Sequence, residues 1–472
     1  MLLRRLYHDR LAQASYLIGC QASKEAIVVD PLGDPAPYLE AARQEGVSIT
    51  GVTETHIHAD FLSGAQALAE AALAPLLLSG EGGGPAGYRR DAFPGARWLR
   101  DGDRLQVGRV AIDVMYVPGH TPEHLAFLVT DTAADDAPMG MLSGDFLFVG
   151  DVGRPDLLER AAGMQGTMEE SARQLYASLR RLHTLPDYLQ IWPGHGAGSA
   201  CGKALGAVPQ STLGYERRTN WAFGIRNESD FIKRVLEGQP EPPAYFARMK
   251  ARNASGVRVG RPATPATPAS DAALRDAIAR GALVVDVRLA QEFASGHLKG
   301  SINVPLGSSF LTYAGSVVPD DRDVVLVAPA ALRASADHAG RELRLIGLDR
   351  VLGVFAPEQL DAGRGGLATL PTVPADDLAA ATRRGVTVLD VRNRSEWEEG
   401  HVPGARLLPL PELAARIEEL RGVGPIAVHC QGGSRSAVAA SVLAANGFDD
   451  VSNVDGGFAA WVRAGHTPAT GA

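Results

Sequence analysis

Residues 49–61 read Ile-Thr-Gly-Val-Thr-Glu-Thr-His-Ile-His-Ala-Asp-Phe. The β-branched run Ile49 to Thr53 predicts a strand, and histidines and carboxylates begin where it stops. Upstream, Ala26-Ile-Val-Val-Asp30 predicts another strand and Tyr38 to Gln44 a helix; downstream, a helix follows from Ala65. Strands alternating with helices mark an α/β fold, and such a sheet builds its site at the strand ends. His56, His58 and Asp60 alternate, so an extended segment or a turn aims all three at one point.

Three more polar elements follow: Val117-Pro-Gly-His120-Thr-Pro-Glu-His124, Leu142-Ser-Gly-Asp145 and Trp192-Pro-Gly-His195. Each places a histidine or aspartate after a glycine, at the end of an apolar run. One histidine after a turn reads as a cap or a surface residue. Four such sites in one segment read together as a metal centre.

These residues resemble the metallo-β-lactamase superfamily, whose motif is H-x-H-x-D-H followed by a His, an Asp and a final His. The resemblance covers about residues 1–250 and implies an αββα sandwich. Phe61 departs from the motif, standing where a histidine would help to hold a second metal. Two histidines and one carboxylate, with the opposite positions open, suit non-haem Fe(II) and dioxygen. Within the superfamily the chain is similar to the persulfide dioxygenases. That resemblance implies one Fe(II) per chain, with His56, His120 and Asp145 as ligands. His58, Asp60 and His195 would orient those ligands or touch bound water. Arg154 falls where these dioxygenases carry a substrate-binding arginine, and it reads otherwise as a structural arginine. Cys201, six residues after His195, reads either as a sulfur acceptor or relay or as a small buried apolar residue. Cys20 reads as structural.

Residues 254–270, ASGVRVGRPATPATPAS, form a linker-like stretch, and beyond it the chain repeats itself. Asp286 and Asp390 are 104 residues apart, as are Gly296 and Gly400, inside matching Val-Asp-Val-Arg and Gly-His segments. Each copy alternates short apolar strands with helices, which predicts a parallel sheet. In the second copy Ile426-Ala-Val-His429 runs into Cys430-Gln431-Gly432-Gly433-Ser434-Arg435-Ser436 and a helix to Asn446. Strand, glycine turn and helix N-terminus together make an anion cradle that favours a thiolate, and Arg435 adds positive charge. A Cys-x5-Arg loop would suit phosphate; Cys430-x4-Arg435 is shorter and suits transferable sulfur. This copy resembles a rhodanese over 371–470. The first copy has Ala330 where the second has Cys430 and lacks the glycines, so it reads as an inactive rhodanese-like domain.

The whole chain is similar to bacterial persulfide dioxygenase–rhodanese fusions. The expected domains are 1–256, a linker at 257–268, an inactive copy at 269–368 and a catalytic copy at 371–472. The implied substrates are a low-molecular-weight persulfide (of glutathione or coenzyme A), dioxygen, sulfite and thiosulfate. The implied role is detoxification of sulfide and persulfides, in a homo-oligomer. Two rivals stand beside this reading. One is a zinc-dependent thioester hydrolase of the glyoxalase II kind; the other is a sulfur-carrying scaffold whose metal domain is vestigial.

Composition narrows the classes further. The 472 residues carry a net charge of −8, with 45% hydrophobic and 21% charged residues. Those are globular values that argue against a nucleic-acid partner. The 53 glycines and 30 prolines, about 18% of the chain, exceed the ~12% of an average protein and point to many working turns. Apolar runs such as Ala71 to Leu78 are too short to span a bilayer. No apolar stretch follows the basic pair near the start, and three cysteines cannot all pair, so a reducing, cytoplasmic setting is expected.

Overall fold

The computed structural model describes residues 1–161, 163–203, 205–256, 270–356 and 367–471. The chain forms two compact units, Met1–Pro262 and Ala263–Ala472. The expected linker at 257–268 lies outside the described residues.

The first unit holds two six-stranded sheets, each in chain order. One contains β1 (Leu2–His8), β2 (Gln13–Cys20), β3 (Glu25–Val29), β4 (Ser48–Thr53), β5 (Leu76–Ser79) and β6 (Arg97–Leu99). The other contains β7 (Arg104–Val107), β8 (Val110–Tyr116), β9 (Leu125–Asp131), β10 (Gly140–Gly144), β11 (Gln190–Pro193) and β12 (Ser211–Thr212). Both sheets are mixed: β1 to β3 pair antiparallel and β3 to β6 parallel, whereas β7 to β10 pair antiparallel and β10 with β11 parallel.

Period-two alternation sorts the strand residues into layers. Tyr16, Ile18, Ile27 and Val29 face Ile112, Val114, Leu125, Phe127 and Val129 in the core between the sheets. Their neighbours Leu17, Ala26 and Val28 turn outward onto helices Ala36–Glu45 and Ala65–Ala72. On the far side Ala126 and Met141 pack under helices Met168–Arg181 and Glu228–Leu236. Helix, sheet, sheet and helix are the four layers of an αββα sandwich.

The second unit holds two all-parallel sheets. The first has the order β14 (Ile302–Asn303), β13 (Leu283–Asp286), β15 (Val324–Val327), β16 (Val351–Phe355). The second has the order β17 (Thr372–Pro374), β21 (Val451–Asp455), β20 (Ile426–His429), β18 (Thr387–Asp390), β19 (Arg406–Leu407). Every residue of β13, β15 and β20 is buried, as continuous apolar strands covered on both faces require. No helix among the described residues is long and apolar enough to cross a membrane.

Candidate active sites

The loops that carry the first site leave one end of the sandwich. His56, His58 and Asp60 follow β4, His120 and His124 lie between β8 and β9, Asp145 follows β10 and His195 follows β11. All seven are buried. Nε2 of His56, His120 and His195 lies 3.9, 3.5 and 3.3 Å from Oδ2 of Asp145. His195 Nε2 is also 3.3 Å from Asp60 Oδ2.

The hydrogen bonds behind these rings decide which nitrogen faces inward. Thr55 Oγ1 donates its one proton to Asp30, so it accepts from Nδ1–H of His56, 2.9 Å away. His120 Nδ1 meets the Arg154 carbonyl at 3.1 Å and His195 Nδ1 meets that of Ala12 at 3.1 Å. A carbonyl only accepts, so both Nδ1 atoms carry protons and Nε2 is the inward atom. His58 is different: its Nε2 turns to Asp30 Oδ1 at 3.0 Å. Burial pulls the His58 pKa down, but the Asp30 carboxylate outweighs it and lifts it to about 9. His124 spends Nε2 accepting the Asp145 N–H.

Both oxygens of Asp145 and of Asp60 are buried without a hydrogen-bond partner. Orphaned carboxylate oxygens are costly, and a cation is the usual remedy. His56, His120 and Asp145 bring their ligand atoms within 4.8 Å of one another, which fits one metal ion. Asp60, His195 and Cys201 form a second such group. Burial, with Asp60 beside it, pushes the Cys201 thiol up to about 12. Burial draws His120 down to about 4 against the pull of Asp145, which keeps the ring neutral, as a ligand must be.

Phe61 is fully buried, its ring 4.3 Å from that of His58. Arg154 is fully buried as well and its guanidinium is engaged: Nε and Nη2 each reach Asp156 at 2.8 Å, and Nη1 and Nη2 reach the Ala200 and Pro240 carbonyls.

The sequence reading missed several supports of this site. Asp30 accepts the Thr55 backbone N–H at 2.6 Å. Glu123 accepts that of Ile57, and Asn253 donates to the carbonyls of His58 and Phe61. Lys250 lies on the same helix as Asn253, Phe246–Ala254, with its ammonium buried 3.9 Å from Glu123. The buried charge of Asp30 at a strand end was the one visible signal; the reach of Asn253 and Lys250 across the fold has no local signature.

Cys430 follows β20 and is buried. Its Sγ accepts the Gly433 N–H at 3.1 Å, and Ser436 Oγ lies 3.5 Å away. Gly433 caps helix Ser434–Ala445 with φ +101°, a left-handed conformation that a side chain would strain. Arg435 grips both oxygens of Glu396, at 2.6 and 2.8 Å. Gln431 accepts from Arg392 at 3.3 Å. Behind the loop the Cys430 carbonyl accepts the Phe458 N–H at 2.7 Å, and a Cβ on Gly457 would meet that same carbonyl at 2.3 Å. In the first copy Ala330–Leu332 form a single 3-10 turn in place of this cradle.

Comparison with known proteins identifies the domains that carry these residues. Residues 8–195 match the metallo-beta-lactamase superfamily, and residues 270–353 and 374–464 each match the rhodanese-like domain. A metallo-beta-lactamase of known structure from Staphylococcus aureus is 42% identical, with a TM-score of 0.69 over 75% of this chain and 99% of that one. A hydroxyacylglutathione hydrolase from Synechococcus is 32% identical over 36% of this chain. The mitochondrial persulfide dioxygenase of Bos taurus is 29% identical over 41% of it. This chain spans 60% of the length of the first of those two relatives and 68% of the second.

Proposed function

We infer the function of a chain that belongs to the metallo-beta-lactamase superfamily in its first unit and carries two rhodanese-like domains in its second. It oxidises a low-molecular-weight persulfide, of glutathione or coenzyme A, with dioxygen. It also transfers sulfane sulfur through Cys430 to or from sulfite and thiosulfate. One persulfide, one dioxygen and one water give one thiol and one sulfite. The role is removal of sulfide-derived persulfides, and fusion keeps a sulfite source near a sulfite acceptor.

The donor set carries this reading. Two imidazole Nε2 atoms and one carboxylate converge, while His58 is turned to Asp30 and Phe61 fills the place of a further ligand. Iron(II) held by His56, His120 and Asp145 would supply the activation of dioxygen. The chain's own groups prepare the site. The Asp30–Thr55 pair and the Arg154 carbonyl fix the ligand rings. His195, its Nε2 between Asp60 and Asp145, is placed to take up and return a proton there as the thiol departs. Arg154, with its donors engaged by protein, acts on substrate through the Ala200–Cys201 loop it holds, and Cys201 faces Asp60 and His195 from that loop.

One observation favours a second reading, a zinc-dependent hydrolase of the hydroxyacylglutathione kind: the adjoining Asp60–His195–Cys201 group could take a further ion. Oxygen uptake separates the two. The iron-loaded chain given glutathione persulfide should consume dioxygen and release sulfite, and His120→Ala should abolish both. No uptake with either carrier persulfide, together with thioester cleavage by the zinc-loaded chain, would replace the dioxygenase with the hydrolase.

A further inference from the structure

The first rhodanese-like copy offers no thiol, yet it is built into the neighbourhood of the one that does. Within the C-terminal unit its helix Phe310–Val317 packs on helices Leu410–Arg416 and Ser434–Ala445 of the second copy. The second of these is the helix that the Cys430 loop opens. Nearby, the backbone N–H of Asn303 donates to Ser441 Oγ at 2.8 Å in a buried bond between the copies.

Phe310, Leu311, Ala314 and Val317 are the buried apolar side chains that seat the helix, with Gly315 and Ser316 buried beside them. Tyr313 lies three residues after Phe310 and four before Val317, on the face they share. That face packs on the helix opened by the Cys430 loop, and the phenol is near enough to Arg435, Cys430 and Glu396 for electrostatic coupling with them. Burial pushes the phenol pKa up, so at neutral pH it is a proton donor.

The second copy needs such a donor. Both oxygens of Glu396 already occupy Arg435, so an incoming dianion meets a guanidinium whose charge is largely offset. A neutral hydroxyl binds an oxyanion without a further counter-charge.

We propose that Tyr313, from the copy without a cysteine, is a substrate-binding residue of the Cys430 site. Its hydroxyl donates to a sulfonate oxygen of thiosulfate, or of sulfite in the reverse direction. In the forward step the Cys430 thiolate attacks the outer sulfur of thiosulfate, forming the S–S bond of the persulfide. The bond from that sulfur to the sulfonate breaks, and sulfite leaves with the electron pair. No external oxidant or reductant enters. This proposal rests on the sulfurtransferase reading above.

The test uses the full-length chain and Tyr313→Phe, which removes one oxygen. The KM for thiosulfate, with cyanide as sulfur acceptor, should rise about tenfold while kcat changes little, as for a lost hydrogen bond to a charged group. Loading of Cys430 from glutathione persulfide, which has no sulfonate on the departing sulfur, should be unaltered when read as added sulfur mass. Alkylation of Cys430 by iodoacetamide should also keep its wild-type rate. An unchanged KM, or an equal fall with both donors, overturns the role of Tyr313. A wild-type chain that loads no sulfur on Cys430 from either donor overturns the sulfurtransferase reading instead, and this proposal with it.

Discussion

In the first rhodanese-like copy Arg288 meets Asp286 through its backbone N–H and Nε, both at 3.0 Å, and the Gly296 carbonyl at 2.8 Å. In the second, Arg392 repeats those bonds to Asp390 and Gly400 at the same lengths. His297 stacks on Phe293 at 3.8 Å and His401 on Trp397 at 3.7 Å. Each histidine also exchanges backbone bonds with a distant alanine, Ala368 or Ala469. At the loop the likeness stops, and there the structure shifts the expected match of Ala330 with Cys430: β15 ends at Val327 where β20 ends at His429, so Ala328 stands in the place of Cys430, Arg333 in that of Arg435, and no glycine lies between them. The contrast separates two jobs. Bonds that persist where no thiol exists serve the fold. What is peculiar to the second copy, namely the thiol, the left-handed Gly433 and the Glu396–Arg435 pair, is what the proposed sulfur transfer would use.

Cys430→Ser tests that division hardest. Sulfur transfer should fall by about a thousandfold or more, with oxygen uptake on persulfide retained. Transfer that survives would mean that another thiol carries sulfur and that the two copies are less distinct than their loops suggest. Glu396→Gln comes next. Burial opposes ionisation of Glu396, but Arg435 outweighs it and holds the carboxyl below the usual range. A depressed carboxyl adds stability above the unfolded-state range, and that stability disappears as pH falls through the folded value. The variant should therefore cost the C-terminal unit about 1–2 kcal/mol at neutral pH, with the gap to wild type closing in acid, followed by calorimetry. Glu292→Gln in the first copy, where an amide can still cap Leu289, should cost about 0.5 kcal/mol or less. Ala328→Cys should have no effect on transfer: a thiol without the cradle stays unloaded in mass spectra after thiosulfate treatment. Sulfur on that residue would show that the loop, not just its cysteine, is dispensable.

Much of this molecule could be read from its strands and the residues that end them. His56, His120, Asp145 and His195 each follow an apolar run, and the structure gathers them because those strands of the two facing sheets end on one side of the sandwich. The 104-residue repeat likewise announced two parallel sheets. Strand direction in the first unit could not be read, because antiparallel β1 to β3 and parallel β3 to β6 share one alternation of apolar residues. The tautomers were hidden for another reason. They depend on carbonyls of Ala12 and Arg154, and a backbone acceptor leaves no mark in a sequence. Tyr313 was hidden because its meaning lies across two copies that sequence comparison treats one at a time.

The metal donors are drawn from both sheets of the sandwich: His56 leaves the first and Asp145 the second. Whatever fills that donor set also ties the two halves of the fold together, as a covalent cross-link would. Occupancy at a hundred times the dissociation constant would add about 2.7 kcal/mol to the native state. Supply of that metal would then govern the survival of the polypeptide as well as its turnover. In a cell short of the metal the protein would be cleared by proteolysis as an incompletely assembled product, before it could accumulate as an idle catalyst.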